Sequence, residues 1–216
     1  VFPFIKNLHT NKDSAYAKYM GDAIFKIPTP LMLSKIVDGI DSIDMDENKD
    51  TKGDLYEYLL SKVATAGTNG QFRTPRHIID MIVKLMKPTP SDVIVDPAAG
   101  SAGFLVSAQQ YLRDHHADLF HNQGLKEHFN NDMFYGFDMD RTMLRIGAMN
   151  MMLHGVDNPN IEYKDSLSEQ NKDEDKYTLI LANPPFKGSL DYEAVSADLL
   201  KVTKTKKTEL LFLSLF

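Results

Sequence analysis

Residues 183–186, with the sequence Asn-Pro-Pro-Phe, carry the groups needed to act on the amino group of a base. Such a nitrogen is a poor nucleophile because its lone pair is delocalised into the ring. Two acceptors, the Asn183 side-chain oxygen and the Pro184 carbonyl, would favour a pyramidal nitrogen with a localised lone pair. Pro184 and Pro185 restrict the backbone and so orient these two acceptors. Phe186 offers a flat face for an extrahelical base. The alternative is a proline-rich turn that closes a strand.

A second segment, DPAAGSAGF, follows an apolar strand and leads into a helix. In an open α/β sheet, ligands bind beyond the carboxyl ends of the strands. Small residues let the backbone approach a ligand closely; they are Ala98, Ala99, Gly100, Ala102 and Gly103. The segment lacks the G-x-G-x-x-G pattern. Asp96, which leaves the strand, would repel a pyrophosphate but could bind the ammonium of a methionine moiety. The pattern therefore favours S-adenosylmethionine over a dinucleotide, and a plain glycine-rich turn is the alternative.

Two further acids follow the next predicted strands. Asp138, in Gly-Phe-Asp, is placed to accept hydrogen bonds from both ribose hydroxyls of a nucleoside. It could instead cap the following helix, although Asp140 is the better candidate for that role. Asp165, in Asp-Ser-Leu, could accept a hydrogen bond from the adenine amino group of the cofactor. A solvated turn is the alternative there.

The segment GQFRTP lies ahead of the first predicted strand. Phe72 and Thr74 could cover the methionine end of the cofactor if this loop folds over the edge of the sheet. Without the other motifs, the segment would be interpreted as the start of a helix with Thr74 as its N-cap.

The elements that must position these residues alternate along the chain. Apolar runs predict strands at 93–95, 134–137, 161–163 and 177–181, and apolar periodicity predicts helices at 76–86, 104–115 and 141–154. Strands separated by helices indicate an α/β fold with a doubly wound, Rossmann-like parallel sheet.

The predicted sheet is C-terminally incomplete, and a mainly helical segment precedes it. We expect two domains, a helical segment at 1–69 and a cofactor-binding domain at 70–216. Within the first domain we predict helix over 14–40, with a break at Pro28 and Pro30, and a helix over 55–66. The acidic stretch between them, 41–54, is predicted to be a solvated loop.

Composition restricts the class of protein. There is no cysteine, which excludes disulfides and thiolate metal sites and is compatible with a cytoplasmic location. No apolar run approaches the roughly 20 residues that span a bilayer, so we expect no membrane association. The net charge is −6. A domain that held DNA alone would usually be basic, so DNA affinity is expected to come from another subunit.

Taken together, these motifs resemble the gamma-class amino-methyltransferases. The segments that match, in order and spacing, are GQFRTPRHI, DPAAGSAGFL, GFDMD, RIGAMNMMLHG, KDSL and LANPPF. GDLYEYLLSKVA and RIGAMNMMLHG resemble the modification subunit of type I restriction–modification systems in particular. The resemblance covers about residues 50–216. Ala102 departs from the pattern, since many relatives have glycine there, and its methyl group could narrow the cofactor pocket.

The resemblance implies methyl transfer from S-adenosylmethionine to the 6-amino group of adenine in DNA, without a metal. The implied partners are DNA, reached through the complex, a specificity subunit, a restriction subunit and a second copy of the chain. The implied catalytic residues are Asn183, Pro184, Pro185 and Phe186. The implied cofactor contacts are Gln71, Phe72, Thr74, Asp96, Ala98, Gly100, Ser101, Gly103, Phe104, Asp138, Met139, Asp165, Ser166, Leu167 and Asn183.

Three other functions compete with this interpretation. An amino-methyltransferase that acts on an RNA base or on a protein glutamine could use a similar turn, although the glutamine enzymes favour tyrosine at the last position. A non-catalytic scaffold could keep the fold, but the intact NPPF and acids argue against it. A nicotinamide oxidoreductase is disfavoured by Asp96.

Overall fold

The computed structural model describes residues 2–6, 14–21, 23–42, 53, 55, 56, 58, 60, 74–186 and 192–216. The chain divides into two compact units, Val1–Gln71 and Phe72–Phe216. The sequence-based boundary lies between residues 69 and 70.

The first unit contains α1 (Phe2–Lys6), α2 (Ala15–Met20) and α3 (Pro30–Asp41), and further helical residues are described at 53, 55, 56, 58 and 60. The prediction of helix throughout 14–27 is wrong, because α2 ends at Met20 and residues 23–29 are not helical. Pro30 starts a helix here. It occupies the first turn of α3, where a missing N–H costs nothing, and the Thr29 hydroxyl accepts a hydrogen bond from the Met32 N–H at 3.2 Å.

The other predictions for this unit fall mainly on undescribed residues. Of the predicted acidic loop, residues 43–52 and 54 lie outside the described part of the chain. The described members of the predicted helix at 55–66 are helical; they are residues 55, 56, 58 and 60.

The second unit is built on a four-stranded parallel sheet, which confirms the predicted α/β class. The strands are β1 (Ile94–Asp96), β2 (Phe134–Asp138), β3 (Asn160–Tyr163) and β4 (Leu179–Ile180). Their order is β3-β2-β1-β4, and every neighbouring pair is parallel. β1 is buried along its whole length, as expected for a strand of a sheet that is covered on both faces.

Six α-helices of this unit lie in its described part: α4 (Arg76–Met86), α5 (Gly103–His115), α6 (Gln123–Asn131), α7 (Arg141–Leu153), α8 (Ala197–Val202) and α9 (Thr208–Leu215). The predicted bounds of α4 are confirmed, and those of α5 and α7 hold to within one residue. α6 and α8 were not predicted as helices. In the described residues, no helix is long and apolar enough to cross a membrane.

Close packing of β2 against its neighbours depends on Gly136. A Cβ atom at this position would lie 2.8 Å from Ile161 Cδ1 on β3, 3.0 Å from Ala99 Cβ and 3.1 Å from Leu105 Cδ1 on α5. These distances are shorter than van der Waals contact. A larger residue would force the ends of Ile161 and Leu105 to move and would press on Ala99.

Candidate functional site

The predicted functional residues gather at one edge of the sheet. Asp96 is the last residue of β1 and Asp138 is the last residue of β2. Asp165 follows β3, and Asn183 follows β4. Because all four strands are parallel, their carboxyl ends meet at the same edge. Four segments that are distant in sequence are therefore brought together there.

Residues 97–102, here called the glycine turn, are held against the end of β2. The Gly100 N–H donates to Asp138 Oδ2 at 3.0 Å, and the Ala99 N–H donates to the Phe137 carbonyl at 2.9 Å. The acid predicted to bind a ribose thus also positions the turn that would lie beside the cofactor.

Two further hydrogen bonds hold the glycine turn from its other sides. The buried Ser166 hydroxyl donates to the Pro97 carbonyl at 2.7 Å. Nδ2 of Asn150, on α7, donates to the Ser101 carbonyl at 2.9 Å. Sequence reasoning missed Asn150. The signal was present, since an amide on the apolar face of a helix must find a polar partner when it is buried.

The glycine turn contains two residues in the left-handed region, Gly100 (φ 52°) and Ala102 (φ 63°). The Ala102 side chain is fully buried. A Cβ atom built on Gly147 of α7 would lie 3.4 Å from Ala102 Cβ. The methyl group that departs from the family pattern therefore faces α7 and is enclosed by protein. A Cβ atom at Gly100 would meet nothing within 4 Å, so open space lies beside the backbone there.

Asp96 is a buried carboxyl group at the centre of this edge. Burial raises its pKa to about 7, because the charged form is desolvated. The hydrogen bond from the Ala98 N–H to Oδ1, at 3.0 Å, favours the charged form, and the charge of Asp138 opposes it. Among the described residues, no group donates to Oδ2. A cationic ligand at this position would supply the missing partner.

Asp138 is held in one orientation by two backbone donors. Gly100 N–H bonds Oδ2, and Asp140 N–H bonds Oδ1 at 2.8 Å. A carboxylate offers about four acceptor positions, so two remain for hydroxyl groups. The N-cap of α7 is Asp140, whose side chain accepts from Thr142 N–H at 2.7 Å. Asp138 is consequently free of the capping role that was its alternative.

The third acid, Asp165, lies in a turn that is held by several hydrogen bonds. Asp165 Oδ1 accepts from Leu167 N–H at 3.1 Å. Just before it, Lys164 forms an ion pair with Asp173 at 2.5 Å, and Tyr177 donates to the same carboxylate oxygen. Burial alone would raise the pKa of Asp173, but its bonds to Lys164 and Tyr177 outweigh this and hold it below its ordinary value. These contacts tie the segment that carries Asp165 to the start of β4.

The segment after β4 holds Asn183 in an exposed position. Its Nδ2 donates to Thr74 Oγ1 at 2.8 Å. Oδ1 accepts no hydrogen bond from the described residues and remains available as an acceptor. The side chain of Phe186 is 68% exposed, so an aromatic face is open to solvent close to this acceptor in sequence.

A family model described as N-6 DNA Methylase matches residues 47–216. The chain belongs to the N-6 DNA methylase family. The match includes every candidate residue named above.

Relatives within this family are methylase subunits of type I restriction enzymes. The chain is 32% identical over 204 residues to the StySPI methylase subunit of Salmonella potsdam, covering 85% of this chain and 38% of that protein. It is 33% identical over 174 residues to the EcoKI methylase subunit of Escherichia coli K12, covering 74% of this chain and 33% of that protein. The chain therefore spans less than half the length of these relatives.

A solved structure shows the same fold. A modification subunit of a putative type I restriction enzyme from Vibrio vulnificus YJ016 superimposes with a TM-score of 0.78 at 24% identity, covering 99% of this chain and 45% of that one.

The other predicted cofactor contacts of this N-6 DNA methylase family member differ in their exposure. Gln71 and Phe72 lie outside the described residues. Phe104 and Leu167 are buried in the core, and Met139 is 57% exposed. Of the remaining predicted contacts, Ala98, Ser101 and Gly103 are partly buried. Contact of any of them with the cofactor stays a prediction.

Thr74 and Ser166 use their hydroxyl groups within the protein. Thr74 does not cap α4, because Pro75 occupies the N-cap position without a side-chain bond. Its hydroxyl bonds Asn183, and that of Ser166 bonds Pro97.

Within the described residues, no group of three or more His, Cys, Asp or Glu side chains could hold a metal ion.

Proposed function

We propose that this chain is the catalytic part of an S-adenosylmethionine-dependent DNA methyltransferase that acts on the 6-amino group of adenine. We further propose that it works as the modification subunit of a type I restriction–modification complex. One observation carries the proposal. In a member of the N-6 DNA methylase family, an exposed Asn183 presents an amide oxygen that accepts no hydrogen bond from the described residues, at the sheet edge that also carries Asp96 and Asp138.

The residues at this edge fit S-adenosylmethionine. The buried Asp96 has an oxygen without a donor among the described residues, which suits the ammonium group of the cofactor. Asp138 keeps two acceptor positions for ribose hydroxyls, and Asp165 is available to the adenine amino group. The open space beside Gly100 leaves the backbone accessible. When bound, the cofactor supplies an electrophilic methyl group.

The substrate side of the site consists of the segment after β4. Asn183 Oδ1 and the Pro184 carbonyl accept hydrogen bonds from the target amino group, which localises its lone pair. Phe186 stacks on the base once the base has left the helix. No general base is needed before attack, because the nitrogen loses its proton after the methyl transfer. Catalysis rests on positioning and on acceptor electrostatics.

The partners follow from charge and from the relatives. With a net charge of −6, the chain repels phosphates on average. We propose that a specificity subunit supplies DNA affinity and sequence selection, that a restriction subunit completes the complex, and that a second copy of the chain also takes part. Because the proposed substrate is genomic DNA, we propose that the complex acts in the cytoplasm.

Labelled S-adenosylmethionine tests this function. The full-length protein, with and without its specificity subunit, is incubated with DNA, RNA or protein, and the methylated product is identified. We expect label on adenine N6 in DNA, and only in the presence of the specificity subunit. Label on an RNA base or on a protein glutamine would overturn the proposal. Asp138→Ala controls for background transfer.

A further inference from the structure

The hydrogen bond from Asn183 to Thr74 joins two segments that are 109 residues apart. It occupies the amide nitrogen of Asn183 and leaves the amide oxygen exposed. The proposed reaction needs this orientation, since the opposite one would point two N–H donors at the hydrogens of the target amino group. Because the side chain of Asn183 is otherwise exposed, the Thr74 hydroxyl is what restrains it among the described residues.

Thr74 is itself fixed by the helix that follows it. Pro75 restricts the backbone at the start of α4, and its carbonyl accepts from Ile78 N–H at 2.9 Å. α4 is attached to α5 by the Ser107 hydroxyl, which donates to Asp80 Oδ1 at 2.7 Å. The backbone beside Thr74 is therefore anchored to the helix pair α4–α5, and α5 directly follows the glycine turn.

We infer that Thr74 is a positioning residue, whose hydroxyl bonds the Asn183 amide nitrogen and so holds this side chain in place for the substrate amino group. This inference rests on the proposed function. It differs from the sequence-based prediction that Thr74 covers the methionine end of the cofactor. The two roles separate experimentally, because a covering residue acts on cofactor affinity and a positioning residue acts on the rate of transfer at saturating cofactor.

The test is single-turnover methylation of DNA by the full-length protein in its assembled complex, at saturating cofactor. Thr74→Val removes the hydroxyl at nearly constant volume. We expect it to lower the rate about 10- to 100-fold, the loss typical of removing a group that orients a functional side chain. Thr74→Ser should restore most of the rate. Cofactor affinity, measured by calorimetry, should stay within about twofold of wild type.

A matched control and a double variant make the test specific. Thr89→Val also removes a hydrogen-bonded hydroxyl, which donates to Asp92 at 2.8 Å ahead of β1, away from the site. It should leave the rate unchanged. In an Asn183→Ala background, Thr74→Val should cause no further loss of rate, since the group that it positions is gone.

The outcomes for Thr74→Val and for wild type separate the positioning role from the proposed function. If wild type methylates adenine and Thr74→Val is equally fast, the positioning role is overturned and the proposed function stands. Weakened cofactor binding with an unchanged saturated rate would assign Thr74 to the cofactor and also overturn the inference. If the wild-type complex does not methylate DNA at all, the proposed function is overturned, and the inference with it.

Discussion

At the scale of single residues, the site consists of acids whose acceptor positions are only partly used by the protein. Asp138 accepts two hydrogen bonds from backbone N–H groups, and Asp96 accepts one. Buried acceptors with unused capacity favour ligands that bring donors. The ammonium and hydroxyl groups of S-adenosylmethionine are such donors.

The raised pKa of Asp96, about 7, predicts a pH dependence of cofactor binding. Only the ionised carboxylate attracts an ammonium group, and a larger fraction is protonated at lower pH. We expect the affinity for S-adenosylmethionine to fall several-fold between about pH 7.5 and about pH 6. Calorimetry on the full-length protein measures this. Asp96→Asn should bind more weakly and lose the dependence, and a pH-independent wild-type affinity would contradict the assignment.

The same group affects folding in the absence of the cofactor. Because the folded pKa lies above the unfolded value, the folded chain binds more protons between about pH 4 and about pH 7. The contribution of Asp96 to the free energy of unfolding therefore decreases as pH rises through this window. It reaches its least favourable value above the folded pKa, where the charge is buried without the cofactor.

At the scale of elements, patterns that lie within one segment were predictable. α4 was located because its apolar spacing starts after Thr-Pro and stops before Pro88. The strands were located as apolar runs that lead into acids or into NPPF. α6 was missed because few of its residues face the core; its one buried side chain is Phe129. The bond between Asn183 and Thr74 could not be predicted, since no local pattern encodes a contact between segments so far apart.

Gly136→Ala tests whether the approach of α5 to the sheet limits stability. The new Cβ atom would overlap the end of Ile161 and crowd Ala99 and Leu105, so we expect the free energy of unfolding to fall by about 1–3 kcal/mol. Denaturant unfolding of the full-length protein measures the change. Gly124→Ala, at an exposed position on α6 whose nearest new contact would be 3.5 Å away, should be neutral or slightly stabilising. Equal effects of the two substitutions would refute the packing argument.

At the scale of the whole molecule, the chain has an acidic overall composition, with a net charge of −6, and a sheet edge that we propose binds a nucleoside. For the proposed reaction on DNA, we expect other subunits to supply the positive charge that phosphate binding needs. The fold and family were predictable because several motifs occur together in the right order.

DNA binding by the isolated full-length subunit should therefore be weak and should weaken further with salt. Addition of the specificity subunit should produce tight binding to a defined sequence. Titrations of labelled duplexes at several salt concentrations, with and without that subunit, measure both effects. Tight sequence-specific binding by the isolated subunit would show that its own surface reads DNA.

The central claim is that the Asn183 side-chain oxygen activates the target amino group. Its most direct test is single-turnover methylation of adenine in DNA by Asn183→Ala in the assembled complex, at saturating cofactor. We predict a rate about 10²- to 10³-fold below wild type, the cost of removing one oriented polar group, with cofactor affinity retained. Asn158→Ala, which removes a bonded amide near the amino end of β3, should react at the wild-type rate. Methylation by Asn183→Ala at close to the wild-type rate would contradict the account and reduce NPPF to a structural turn.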